Sequence, residues 1–129
     1  MASRIRELCI NCADPERMAE FWSAALGYPV IDRDEESVAI MGAANAPSIL
    51  FIRTDDVGGP PKVAHNRLHL DLSPTGCDQN AEVARLEQLG AVRIDIGQGT
   101  PSWVVMADPE GNEFCVLRTM VPPEPGPFE

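Results

Sequence analysis

The chain has 129 residues, the length of one domain. Its 20 acidic and 10 basic residues leave a formal net charge of −10, which argues against nucleic acid or an anionic membrane surface as a partner, because both are held mainly by Lys and Arg. With 44% apolar and 23% charged residues the composition is that of a globular domain rather than a disordered chain.

The longest uncharged stretch, Ser37 to Ile52, is broken by Gly42, Asn45 and Pro47 and is shorter than the ~20 apolar residues of a membrane span. The N-terminus carries no apolar run of signal-peptide type. The expectation is a cytoplasmic protein with Cys9, Cys12, Cys77 and Cys115 reduced.

Ile5 to Cys12 reads as a strand. Asp14 can cap the helix that follows, and Pro15 suits its first turn, where the missing N–H would have no partner anyway. Met18, Phe21, Trp22, Ala25 and Leu26 then recur at helical spacing as a core-facing stripe, which Gly27 ends. Val30 to Arg33, Ser37 to Met41 and Ile49 to Arg53 read as strands, joined through Asp34-Glu35-Glu36 and through Gly42 to Pro47. Val57-Gly58-Gly59-Pro60-Pro61 marks a linker over residues 54–66.

Beyond the linker the pattern begins again. Arg67 to Leu72 alternates, with Leu68, Leu70 and Leu72 on one face and Arg67, His69 and Asp71 on the other. A second helix covers Asp78 to Leu89 and turns Val83, Leu86, Leu89 and Gly90 inward. Val92 to Ile96, Trp103 to Ala107 and Glu113 to Arg118 read as strands. Asp108-Pro109-Glu110-Gly111 joins the last two, and its Pro at the second position and Gly at the fourth suit a type I turn. A Pro-rich tail over residues 119–129 is expected to be extended and flexible.

The segment Leu26-Gly27-Tyr28-Pro29-Val30-Ile31-Asp32 lines up with Leu89-Gly90-Ala91-Val92-Arg93-Ile94-Asp95, 63 residues later. Each half runs strand, helix, strand, strand, strand. The expected fold is therefore α+β: two tandem βαβββ modules, residues 5–53 and 67–118, within a single domain. Each sheet has one face under its helix and one left open, and the two curved mixed sheets enclose a cleft.

This duplicated unit resembles the vicinal oxygen chelate superfamily, and most of all its compact glyoxalase-like branch. The superfamily also holds the extradiol dioxygenase and bleomycin-resistance proteins. The resemblance covers residues 5–118 and is carried by Cys12-Ala13-Asp14-Pro15-Glu16-Arg17, by Arg67-Leu68-His69-Leu70-Asp71-Leu72 and by Asp108 to Leu117. It implies a homodimer with a small-molecule ligand. In metal-dependent members a divalent ion takes one ligand from the first and one from the last strand of each half, positions that match Glu7, Phe51, His69 and Cys115 here. Phe51 has no donor atom, and a thiolate at Cys115 favours zinc over harder ions. The resemblance thus implies no resident cofactor, with a divalent metal on Glu7, His69 and Cys115 as the alternative.

Strand alternation assigns the residues of the cleft. Glu7, Cys9 and Asn11 face it from the first strand, and Ile49, Phe51 and Arg53 from the fourth. Arg67, His69 and Asp71 face it in the second half, with Glu113, Cys115 and Leu117. Trp103, in phase with Val105 and Ala107, is placed to stack on a flat ligand beside an apolar wall at Phe51. Glu7 and His69 are the candidates for acid–base catalysis. Asn11, Phe51, Arg53, Arg67, Asp71, Trp103, Glu113 and Cys115 are the candidates for ligand binding. The plainer alternatives are Arg–carboxylate pairing across the cleft and core packing of the aromatic residues.

Other sites find little support. Cys9 and Cys12 form the chain's one CxxC, but within a strand they point to opposite faces, which does not suit a redox pair. His65 and His69 would stand about 13 Å apart along a strand, too far to share a metal. No glycine-rich phosphate loop opens a helix, and no nucleophile elbow is present. Three functions compete: metal-independent binding of a small, partly apolar organic molecule; a lyase, isomerase or dioxygenase using Glu7 and His69 with or without a metal; and an interaction module with a vestigial cleft.

Overall fold

The structure, a computed structural model, describes residues 1–42, 46–54 and 66–123. The elements follow in the order β1 (Glu7–Cys12), α1 (Pro15–Leu26), β2 (Val30–Arg33), β3 (Ser37–Ile40), β4 (Ser48–Arg53), β5 (Leu70–Leu72), α2 (Gln79–Leu89), β6 (Val92–Arg93), β7 (Val104–Ala107) and β8 (Glu113–Val116). The described residues up to 54 form one compact unit, and those from 66 to 123 a second. The expected linker core, 55–65 with His65, and the tail beyond 123 lie outside the described residues.

Each unit is a βαβββ module with its own open, four-stranded sheet. The strand orders are β1-β4-β3-β2 and β5-β8-β7-β6. In both, the first strand pairs in parallel with the last, and the remaining pairings are antiparallel. Among the described residues no helix is long and apolar enough to cross a membrane.

The helices form where local chemistry directs them. The Asp14 side chain accepts a hydrogen bond from the Arg17 N–H at 3.1 Å, and Pro15 occupies the first helical position. Gly27 ends α1 at φ 71°, a left-handed conformation that costs glycine little. The α1 stripe of Met18, Ala19, Phe21, Trp22 and Ala25 is buried, with the Phe21 and Trp22 rings edge to face at 5.1 Å. It packs on β3 and β4, whose Val38, Ile40, Ile49 and Phe51 are buried.

The second unit repeats this construction. Asp78 caps α2 by accepting from the Ala81 N–H at 2.9 Å. Val83 and Leu86 are fully buried, as are Met106 and Val116 on the sheet, with Phe114 at 1% exposure beside them. Gln79 ties the start of α2 to the sheet by donating to the Ser102 carbonyl at 2.8 Å and the Val116 carbonyl at 3.0 Å. At the β7–β8 turn the Gly111 N–H reaches the Asp108 carbonyl at 2.9 Å. The Asp108 carboxylate accepts from the Glu110 and Asn112 N–H groups, each at 2.9 Å. The Asp-Pro-Glu-Gly-Asn run is thus a turn held by its own Asp108 carboxylate.

Several strands are shorter than their apolar alternation predicts. β5 begins at Leu70, and Leu68 is 81% exposed instead of facing the helix. Alternation gives the side a residue would face but not how far its partner runs, and the β5 register on β8 begins only at Leu70–Phe114. β6 stops at Arg93, soon after which the Asp95 and Gln98 side chains accept from the Gly97 and Ile96 N–H groups and divert the backbone into a turn. At the start of the tail, the Val121 N–H donates to the Pro74 carbonyl at 3.0 Å.

Candidate functional site

The sheet register decides which side chains share a face, because directly paired residues project to the same side. In the second unit Phe114 pairs with Leu70 and Met106, and this set turns towards α2. One residue on, Cys115 pairs with Asp71 and Val105, so these three lie on the opposite face of the sheet, where Asp71 is exposed and Val105 and Cys115 are buried. Glu113 shares that side by alternation, and His69, just before β5, is brought to it by its contact with Asp71. The strand phase expected for Asp71, Glu113 and Cys115 agrees with this register.

Three of these side chains converge. His69 Nε2 lies 3.2 Å from Asp71 Oδ1. A ligand atom from each of His69, Asp71 and Cys115 falls within 4.8 Å of the other two. The two polar side chains are about half exposed, at 50% and 51%, whereas Cys115 is 9% exposed. Burial pushes the Cys115 thiol above its usual range. The Asp71 charge, a hydrogen bond to Asp71 and the Glu113 charge push it further the same way. Glu113 itself accepts from the Asn66 N–H at 2.7 Å, which anchors the approach to β5. Trp103 is 44% exposed in the bend just before β7. Arg67 is exposed in the bend that precedes β5.

The first sheet corrects part of the sequence reading. Cys9 pairs with Leu50 and Asn11 with Ile52, so Glu7, Cys9 and Asn11 share the open face with Ser48, Leu50 and Ile52. Phe51 pairs with Ile10 and Val38 on the opposite side and is fully buried in the core under α1. It is not a wall of the open face, and neither is Ile49. Arg53, exposed at the end of β4, approaches Glu36 at 3.7 Å rather than a carboxylate of the open face. Ser48-Ile-Leu-Phe-Ile-Arg53 is apolar at both parities, as befits a strand flanked on both sides, so its phase is not legible from alternation. Leu50 and Ile52 were missed for that reason, and only pairing with β1 reveals them.

The four-ligand metal set implied by the resemblance does not fit, since one of its four positions is a buried phenylalanine without a donor atom. Among the described residues the donors that converge, His69, Asp71 and Cys115, all come from the second unit. Elsewhere, a shallow groove of about 580 Å³ lies along α1 and β2, lined in part by Glu16, Arg17, Glu20 and Arg33. It is a charged surface feature, crossed by an Arg33–Glu16 pair at 3.4 Å, and holds none of the sequence candidates.

A family model described as a glyoxalase-like domain matches residues 7–117. A glyoxalase/bleomycin resistance protein/dioxygenase family enzyme from Burkholderia phytofirmans PsJN is similar in structure, at 18% identity and TM-score 0.63 over 88% of this chain and 97% of that one. A glyoxalase-related enzyme from Fulvimarina pelagi is similar at 16% identity and TM-score 0.64, over 89% and 87%. The fosfomycin resistance protein FosX from Mesorhizobium loti is similar at 12% identity and TM-score 0.64, over 92% and 95%. At such identities the likeness concerns the fold alone. No curated protein sequence matches the chain significantly.

Proposed function

From the premise that the chain belongs to the glyoxalase-like domain family, we propose that it binds a small, partly apolar organic molecule against the open face of its second sheet. The observation that carries this reading is the convergence of His69, Asp71 and Cys115 on a sheet before whose strand β7 Trp103 stands exposed. A few polar groups beside an apolar surface are what orients and holds small ligands. The imidazole and the carboxylate supply hydrogen bonds, and the indole supplies a flat surface for stacking.

The two tryptophans make the test direct. Trp22 is 2% exposed in the α1 core, whereas Trp103 is 44% exposed, so a ligand on this face perturbs only the second. A panel of aromatic carboxylic acids, aromatic amines and short 2-oxo acids is titrated against the full chain, reading tryptophan emission and melting temperature. The expected result is at least one compound that shifts both. Its emission shift is lost in Trp103→Phe, and its affinity falls in Asp71→Asn. A panel that moves neither readout overturns the reading.

A second reading has one specific observation in its favour. The 3.2 Å contact between His69 Nε2 and Asp71 orients the imidazole, as a proton-transferring histidine requires. Lyase or isomerase chemistry at His69 would then be slowed by Asp71→Asn with binding largely kept, whereas a pure binding role shows no turnover in either protein. Exposed on the open face of the first sheet, Glu7 is the other acid–base candidate of this reading.

A further inference from the structure

We propose that the second unit binds one zinc ion with its own residues, through Cys115 Sγ, a His69 ring nitrogen and the Asp71 carboxylate, leaving a fourth position open. This differs from the four-ligand arrangement spread over both halves, because Asp71 takes part and neither Glu7 nor the Phe51 position is needed.

Geometry favours the site. Asp71 and Cys115 are directly paired on adjacent parallel strands, and His69, immediately before β5, brings its Nε2 to 3.2 Å from Asp71 Oδ1. All three side chains therefore project from one patch of sheet. A tetrahedral zinc with bonds of about 2.0–2.3 Å needs donors about 3.3–3.6 Å apart. His69 and Asp71 already stand at 3.2 Å, and all three donors lie within 4.8 Å of one another. Small rotations of the two half-exposed side chains close the remainder, while the buried Cys115 supplies a fixed point.

The donor types select the metal. One thiolate, one imidazole and one carboxylate make a borderline-soft set that suits zinc better than magnesium, calcium or manganese. The thiol loses its proton as the zinc–sulfur bond forms, and the dication then replaces the proton beside the Asp71 and Glu113 charges. Glu113 accepts from the Asn66 N–H through one carboxylate oxygen and is not among the three donors that converge. Three protein ligands and one open position is the pattern of zinc sites that take water or a substrate group, whereas structural zinc is closed by four. The open position looks onto the face assigned above to the organic ligand; only that last point rests on the proposed function.

The full chain is stripped with chelator, loaded with zinc, dialysed and assayed for metal by mass spectrometry. A parallel sample is loaded with Co(II) and examined for the near-ultraviolet thiolate-to-cobalt charge-transfer band. The expected result is one zinc per chain and a cobalt band that disappears in Cys115→Ala. Zinc affinity should fall at least about tenfold in His69→Ala and Asp71→Asn, which alter half-exposed side chains and keep the circular dichroism of the parent. Glu7→Gln should leave affinity unchanged within twofold. The proposal is overturned if no stoichiometric zinc is retained, if bound cobalt lacks the thiolate band, or if Glu7→Gln releases the metal. Failure here leaves the tryptophan titration untouched, and an unresponsive ligand panel leaves the zinc stoichiometry untouched.

Discussion

Phe51 and Phe114 stand 63 residues apart, the same interval that separates Leu26 from Leu89 at the ends of the two helices. Both phenylalanines sit on the last strand of their sheet, pair with the parallel first strand and are buried at 0% and 1% exposure. The opposite faces of those strands differ. Beside Phe51 the first sheet presents Leu50 and Ile52 with Glu7, Cys9 and Asn11, whereas beside Phe114 the second presents Glu113 and Cys115 with Asp71 and His69. Packing under a helix restricts a position to a well-filled apolar side chain, so the two halves agree there. The opposite face carries no such restriction, and among the described residues it is there that the second half brings three metal-binding side chains together.

Removing the two phenylalanines tests this symmetry most severely. Phe51→Ala and Phe114→Ala should each cost about 3–5 kcal/mol, read from urea unfolding of the full chain. A cost below about 1 kcal/mol for Phe51→Ala would return that side chain to the open face and break the correspondence.

The helix caps provide a milder comparison. Asp14 and Asp78 each accept a hydrogen bond from the N–H three residues on. Asp14→Ala and Asp78→Ala should each cost about 1 kcal/mol, with a similar loss of helical circular dichroism. A loss confined to one variant would show that the two helices are not equivalent in what holds them.

The smallest effect sharpens the contrast between the open faces. In chelator-treated protein Cys115 should alkylate with iodoacetamide more slowly at pH 8 than in the unfolded chain, because burial and the neighbouring carboxylates disfavour its thiolate. Asp71→Asn removes one of those charges and should raise the rate by a few fold. The sign for stability follows from the upward shift. The contribution of this thiol is fully present below its unfolded pKa of about 8.5 and is lost as pH rises through the higher folded value. An Asp71→Asn variant that alkylates no faster would remove Asp71 from the thiol's surroundings.

Much of this was legible in the sequence, for reasons that act over a few residues. Asp14-Pro15 and Gly27 bound a helix because capping and left-handed termination are local chemistry, and Asp108 to Gly111 forms the turn its Pro and Gly require. The face of Cys115 was readable because Glu113-Phe114-Cys115-Val116 places its polar groups at one parity and its large apolar ones at the other. Ile49-Leu50-Phe51-Ile52 has no such contrast, and its phase was assigned only when β4 paired with β1 some 40 residues away in sequence. The convergence of Asp71 with Cys115 has the same origin. These residues stand far apart along the chain and meet only because β5 and β8 pair in parallel at one register. The order of elements, their caps and the apolar stripes belong to the sequence, since each depends on neighbours within a turn or two. Which strand lies beside which, and therefore which side chains form a site, was decided by packing two sheets under their helices.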